Sequence, residues 1–400
     1  MRILLVSSFL PYPIFSGGHI RLFNILKLLS KKHQIYLVCE KRDYQTKNDV
    51  KAVEEYCEKV ITVNREKQWS WQNIVKTGLS SKSFLITGHA SNKMKKEIDD
   101  LLNQEKFDLI HIETFYVMQN LPKTALPTVL IEHNVEYLVY KRFAKQAPLF
   151  LRPLLYIDIL KLKFWEENMW NKATKLVAVS EIDKKIMEKK RRDVDVVSNG
   201  VDIEKFRFMN YESRIQNEEK RMLFIGDFRW IENRDAAEWI LKEIWPKLNH
   251  ESRIMNHGLK LWIVGKNIPQ SLKKLSNDDN VIFDENAPDK TEIIYQKSNI
   301  LLAPIRVGGG TSFKILEAMA SGICVVTTAL GNAIKAEENL EILVANNSDG
   351  FVEKIRELLE NEKFYKKIST NARKLVEKKF NWKKITRDLN SVYESVVPYD

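Results

Sequence analysis

Short aliphatic runs of strand length alternate along this chain with longer stretches whose apolar positions recur every three or four residues. In the first half the runs are RILLVSS (2–8), HQIYLVCE (33–40), KVITVN (59–64), DLIHIE (108–113), TVLIEH (128–133) and KLVAVS (175–180). Few polar positions interrupt them, as suits strands covered on both faces, and this points to a parallel sheet. At Arg221 the pattern restarts: RMLFIGDF mirrors RILLVSSF at the chain start, and KLWIVGK (260–266), NVIFDE (280–285), NILLAPI (299–305), ICVVTT (323–328) and EILVA (341–345) follow. The alternation, run twice, predicts an α/β protein of two doubly wound parallel-sheet domains in tandem.

The boundaries read as a first domain over 1–197, a polar linker poor in periodicity over 198–220, a second domain over 221–380 and a final helix over 381–400. Trp382, Ile385, Leu389 and Val392 form the apolar face of that helix. Apolar residues make up 44% of the chain, which is ample for packed domains and excludes disorder as the theme. Cys39, Cys57 and Cys324 lie far apart with no metal-ligand spacing, so a reducing cytoplasm is expected and a structural zinc is not. The opening MRILLVSSFLPYP lacks a small-residue cleavage site before its prolines, and no run approaches the length of a spanning helix, so neither a secretion signal nor a membrane span is expected.

Charge changes the picture for one half only. Of the net +11, residues 1–200 hold 33 Lys+Arg against 23 Asp+Glu, leaving 31 against 30 for the rest. The excess suggests an anionic partner for the first half, a membrane surface or a charged substrate, or else scattered solvated lysines. The stretch KRFAKQAPLFLRPLLYIDILKLKFWEENMW (141–170) mixes basic and large apolar residues, as a helix lying on an anionic leaflet would. Pro148, Pro153 and a polar face that is not purely basic favour instead a helix tucked into the core. Nucleic acid is not an expected partner, because no recognisable module or interleaved aromatic and basic platform is present.

In open α/β sheets ligands bind beyond the carboxyl ends of the strands. Two of the turns there carry consecutive glycines. In SSFLPYPIFSGGHIRLF a strand ends, Pro and Gly turn the chain, and a helix starts near Gly18 or His19; Gly17 and Gly18 permit an anion close to its N–H groups, or serve as a plain turn. In RVGGGTSFKILEAMASG, helical periodicity begins at about Ser312 and stops at Gly322. Gly308, Gly309 and Gly310 leave N–H groups and the helix's positive end unobstructed for a phosphate, with Arg306 and Lys314 flanking. Glu317, further along the same helix, can accept hydrogen bonds from a ribose diol or remain a surface Glu. His133 ends the strand TVLIEH beside Asn134, suited to a sugar hydroxyl or developing charge, or to capping the turn. His111 and Glu113 alternate on DLIHIE and so face one side, as a base towards a cleft or as a polar strand end. Neither a Walker loop nor a dinucleotide fingerprint is present.

The ordered set of motifs resembles the GT-B glycosyltransferases, specifically the large retaining family 4 that uses nucleotide sugars. It comprises the P-x-P…GG loop, the D-x-I-H strand, EHN at 132–134, VS at 179–180 with Glu181, SNGVD at 198–202, FIGDFRWIENRDA at 224–236 and GGGTSFKILEAMASG from 308. The resemblance implies two Rossmann-like domains facing a central cleft, with the final helix crossing back to the first domain. It also implies a UDP- or GDP-sugar donor on the second domain, a glycan or lipid-linked acceptor on the first, retention of anomeric configuration, no cofactor and no metal. Carried over by motif, Gly17 and Gly18 approach the donor phosphate, His133 contacts the donor sugar, Gly310, Thr311 and Ser312 cradle the pyrophosphate, and Glu317 holds the ribose. His111, Glu113 and Asn134 are expected on the acceptor side. Two positions depart from many relatives: Gly309 stands where a first glutamate is common, and Asp227 and Glu232 stand where Arg and Lys are common. Arg306 and Lys314, with Arg229 as a further candidate, are then expected to neutralise the leaving diphosphate. An epimerase on the same fold and a scaffold that only binds nucleotide are the alternatives. The expected location is the cytoplasm, with a peripheral place on the inner face of the membrane.

Overall fold

A computed structural model describes residues 1–14, 16–65, 70–215, 220–249, 258–287, 290–307 and 310–397. The chain divides into two compact units, Met1–Ser198 with Ile385–Asp400, and Asn199–Lys384. In the first, seven strands, β1 (Arg2–Ser7), β2 (Gln34–Lys41), β3 (Lys59–Asn64), β4 (Leu109–Glu113), β5 (Thr128–Glu132), β6 (Lys175–Ala178) and β7 (Val194–Val196), form a sheet in the order β3-β2-β1-β4-β5-β6-β7. All its pairings are parallel. Ile3, Leu4, Leu5 and Val6 of β1 are fully buried, as the unbroken apolar run requires of a strand covered on both faces.

In the second unit β8 (Lys220–Ile225), β9 (Leu259–Val264), β10 (Val281–Asp284), β11 (Ile300–Ala303), β12 (Cys324–Thr327) and β13 (Leu343–Val344) form a parallel sheet of six, ordered β10-β9-β8-β11-β12-β13. The strand order reverses between β1 and β4 in one unit and between β8 and β11 in the other. At such a switch point the two connections leave in opposite directions and open a crevice at the strands' carboxyl ends. The Gly17–Gly18 loop follows β1 and the Gly310–Ser312 loop follows β11, so each glycine loop stands at the switch point of its own sheet.

Part of the stretch read as a linker is packed structure. Val201 and Phe206 lie in the second unit's core, and Arg214, fully buried, donates to the carbonyls of Met209, Tyr295, Ser298 and Ser321. Its polar composition hid this because, beside Val201 and Phe206, its largest buried side chain is an arginine satisfied by backbone oxygens. The final helix, Trp382–Glu394, divides between the units: Trp382 stacks near Phe313 and against Gly200 in the second, whereas Leu389 and Tyr393 are buried in the first.

The helix Phe313–Ser321 ends at Gly322 with φ 81°, and a Cβ there would lie 2.8 Å from the Met209 carbonyl oxygen. Gly322→Ala is therefore expected to cost about 1–3 kcal/mol of stability, read by denaturant unfolding. A variant as stable as the native protein would remove this clash from the account.

Candidate active site

The helices Gly17–Leu29 and Phe313–Ser321 share an unusual start. Each is preceded by a serine, Ser16 or Ser312, whose side chain makes no capping bond, and neither has an acidic residue in its first turn. Elsewhere among the described residues, an α-helix preceded by Ser, Thr or Asn uses that side chain to cap, as at Ser70, Ser91, Ser180, Asn210, Asn347 and Asn381. An N-terminus without its own side-chain cap keeps backbone donors and positive potential for an anion.

In the second unit Gly310 has φ 69°, a left-handed conformation that L side chains rarely adopt, and it turns the chain into the extended Ser312 ahead of the helix. Gly308 and Gly309 lie outside the described residues. Asn199 donates to the Thr311 carbonyl at 3.1 Å and so ties the loop to SNGVD. Lys314 donates to Asn233 Oδ1 at 2.8 Å and lies 4.7 Å over the Phe224 ring. Burial pulls the Lys314 ammonium down to about 8, against the pull of Glu232 and Glu317. Glu317 accepts from the Tyr295 hydroxyl at 2.8 Å, and burial pushes its carboxyl up to about 7, opposed by that hydrogen bond.

Arg306 makes a bidentate pair with Asp235, at 3.1 and 2.9 Å, and its guanidinium lies 4.5 Å over Trp239. Arg229 is turned to Asp227 and largely exposed. Both arginines therefore have a carboxylate partner already, whereas Lys314 is held by a neutral amide. Asn233, Asp235 and Trp239, all on the helix Ile231–Trp239, hold Lys314 and Arg306 in place. Asn233 and Asp235 lie within the motif FIGDFRWIENRDA, which gave them no role, and Trp239 lies beyond it. Asp278 accepts from the Trp245 indole and the Asn249 amide, both at 2.8 Å, a structural use. Among the described residues no group of three or more His, Cys, Asp or Glu could hold a metal ion.

In the first unit β4 pairs with β5 so that Glu113 lies opposite Ile131. His133, two residues beyond, projects to the same face. The result is a buried chain of hydrogen bonds. His133 Nε2 meets Glu113 Oε2, Glu113 Oε1 meets His111 Nε2 at 2.9 Å, and His111 Nδ1 meets the Tyr393 hydroxyl. Burial alone would raise the Glu113 carboxyl, but the two imidazole rings bonded to it, His133 foremost, hold it below the usual carboxylate range. An ionised carboxylate only accepts, so each ring donates to it from Nε2. His133 Nδ1 is then left towards the glycine loop: a Cβ on Gly18 would stand 3.4 Å from it.

The glycines and His133, separated by more than a hundred residues, thus meet at one place. His111 and Glu113, expected on the acceptor side, are fully buried behind His133 and present no surface to an acceptor. Asn134 hydrogen-bonds the Glu136 carboxyl, and Glu166 accepts from the N–H groups of Glu136 and Tyr137, which anchors the helix that leaves this turn.

Two family models match: one described as Glycosyltransferase Family 4 over residues 15–205, the other as Glycosyl transferases group 1 over residues 219–361. An uncharacterized 44.6 kDa protein in the cps region of Klebsiella pneumoniae is 25% identical over 96% of this chain and 97% of its own length. The capsular polysaccharide biosynthesis glycosyltransferase CapM of Staphylococcus aureus is 26% identical over 56% of this chain and 62% of its own. The crystal structure of Anabaena HepE in complex with UDP and glucose aligns over 99% of this chain and 100% of its own, with TM-score 0.67 and 14% identity. WaaG, a glycosyltransferase involved in lipopolysaccharide biosynthesis, gives TM-score 0.66 at 14% identity over 99% of this chain and 100% of its own.

Two Rossmann-like parallel-sheet domains, each with a helix start that lacks a side-chain cap at its switch point, make the architecture of the GT-B fold. With both domain families matched along its length, the chain is a GT-B glycosyltransferase.

Proposed function

We propose that this glycosyltransferase moves a sugar from a UDP- or GDP-sugar to a glycan or lipid-linked acceptor in the assembly of a cell-surface polysaccharide, with retention of anomeric configuration. The observation that carries the donor reading is the open start of the helix Phe313–Ser321, glycine-led and flanked by Lys314 and Glu317. Relatives support the setting: CapM is named for capsular polysaccharide biosynthesis, and HepE has been crystallised with UDP. Retention rests on the motif resemblance.

In this reading the N–H groups around Thr311 and Ser312 take the diphosphate and Lys314 neutralises the charge that develops as it leaves. Lys314 carries more of that task than Arg306, whose charge Asp235 already balances. Glu317 accepts from the ribose hydroxyls. Gly17 and Gly18 let the donor approach His133, whose ring contacts the sugar, and Glu113 is a positioning residue that fixes the ring's tautomer. The enzyme would work as a peripheral protein on an anionic membrane surface, where a lipid-linked acceptor is presented.

The two shifted groups set a pH window. Below about 7 Glu317 gains a proton and becomes a weaker acceptor for the ribose; above about 8 Lys314 loses the charge that faces the phosphates. Nucleotide affinity is expected to peak between these values in calorimetric titrations across pH, and Glu317→Gln should flatten the acid limb. A flat profile in the native protein would dissociate both groups from the nucleotide. Thermal-shift screening of nucleoside diphosphates and nucleotide sugars tests the function itself: a raised melting temperature with UDP or GDP, and transfer from the matching sugar nucleotide, is the expected result. Isomerised sugar nucleotide with no acceptor consumed would identify an epimerase instead.

A further inference from the structure

The helix Arg152–Lys172, for which sequence reading favoured a place in the core, has two apolar faces. One, with Ile159, Leu162, Met169 and Trp170, is buried in the first unit. The other stands in solvent, together with the turn before it: Phe150, Leu154, Leu160 and Phe164 are each at least 62% exposed. The neighbouring helix Trp71–Leu79 is amphipathic the wrong way round for a soluble surface, with Asn73 buried while Trp71 and Leu79 are 77% and 86% exposed. The two helices are fastened together. Lys161 Nζ, from within the outer face, donates to the carbonyls of Thr77 and Ser80 at 2.9 and 2.8 Å, and Trp165 Nε1 donates to that of Ser81 at 3.1 Å. Large apolar side chains concentrated this way mark a surface that is covered in use.

Charge identifies what covers it. Residues 141–164 carry six basic side chains and one acidic, and residues 71–82 carry two basic and none acidic. The single carboxylate, Asp158, is engaged inward and accepts the Phe84 N–H at 2.8 Å. A second copy of this chain docked face to face would bring two basic rims together, whereas a negatively charged lipid surface meets both the apolar face and its rim. We infer that the outer face of these two helices enters the interfacial layer of an anionic phospholipid bilayer, with the lysines at headgroup level and the aliphatic and aromatic side chains below it. This deepens the peripheral part of the proposed function by giving it a surface. It does not depend on which nucleotide sugar is used.

The test is flotation of the full chain with vesicles of phosphatidylcholine alone and of phosphatidylcholine with phosphatidylglycerol. The native protein is expected to float with the anionic vesicles. Trp71→Ser with Leu79→Ser, and separately Leu154→Ser with Phe164→Ser, should each lower the bound fraction at least about tenfold while leaving the melting temperature and nucleotide binding unchanged. Nucleotide binding and transfer to a water-soluble acceptor are followed in the same samples, so a failure of the enzymatic reading registers separately. Three results would overturn the inference: no flotation with either vesicle, flotation undiminished in both double variants, or a native dimer that the variants convert to monomer without any vesicle binding.

Discussion

Replacing Lys314 with methionine is expected to lower turnover by about 10²–10³, the range for removing one fixed donor from a developing negative charge. The side chain is held by Asn233 against the Phe224 ring, beside the start of the helix Phe313–Ser321, so methionine fills similar volume without reaching the backbone. Stability should move the other way. The ammonium titrates at about 8 in the folded protein, below its ordinary 10.5, so folding disfavours its charged form. That cost is fully present below about pH 8 and fades as pH rises towards 10.5. At neutral pH the variant should therefore melt no lower than the native protein while its activity collapses. Arg306→Ala should do less to turnover, because Asp235 already balances that charge. Equal activity in the Lys314 variant and the native enzyme would remove Lys314 from the chemistry.

Glu113→Gln is expected to cost about a hundredfold in kcat with little change in nucleotide affinity. Glutamine has nearly the same shape, but it offers one acceptor oxygen where the carboxylate serves two histidine rings. One ring is left facing an amide N–H, and His133 loses its fixed tautomer. Glu113 touches no surface, so a purely structural role would appear as lowered stability with kcat intact once folding is complete. The stability sign also follows from the shift. A carboxyl held below its ordinary range stabilises the fold above that range and loses the contribution as pH falls through its folded value, so the gap in melting temperature between native and variant should close in acid. Tyr393→Phe, one link further from His133, should give a smaller loss of the same kind.

Much of the fold was legible because the central strands of a parallel sheet must be apolar on both faces, and RILLVSS and RMLFIGDF are. β7 was not, since three residues fall below the length at which periodicity can speak. The glycine loops were legible from their position after strands. The bond between Glu113 and His133 was not, because it depends on the register of β4 against β5, which no local pattern encodes. The helix Arg152–Lys172 was legible for its core face only: apolar residues occupy both its faces, and hydrophobicity alone does not tell a face that meets the core from one that meets solvent. Asn233 and Asp235 were quoted within a motif, yet their task as holders of Lys314 and Arg306 became visible only once the helix Ile231–Trp239 was placed beside the glycine loop.

Calorimetric titration of UDP and GDP into the native protein, Lys314→Met and Glu317→Gln at a pH between 7 and 8, the window set by those two groups, tests the central claim most directly. One of the two nucleotides is expected to bind the native protein, and each substitution should weaken it at least about tenfold, the loss of one charged contact or more. If neither nucleotide binds, or if both variants bind as tightly as the native protein, the helix Phe313–Ser321 is not where this enzyme holds its donor.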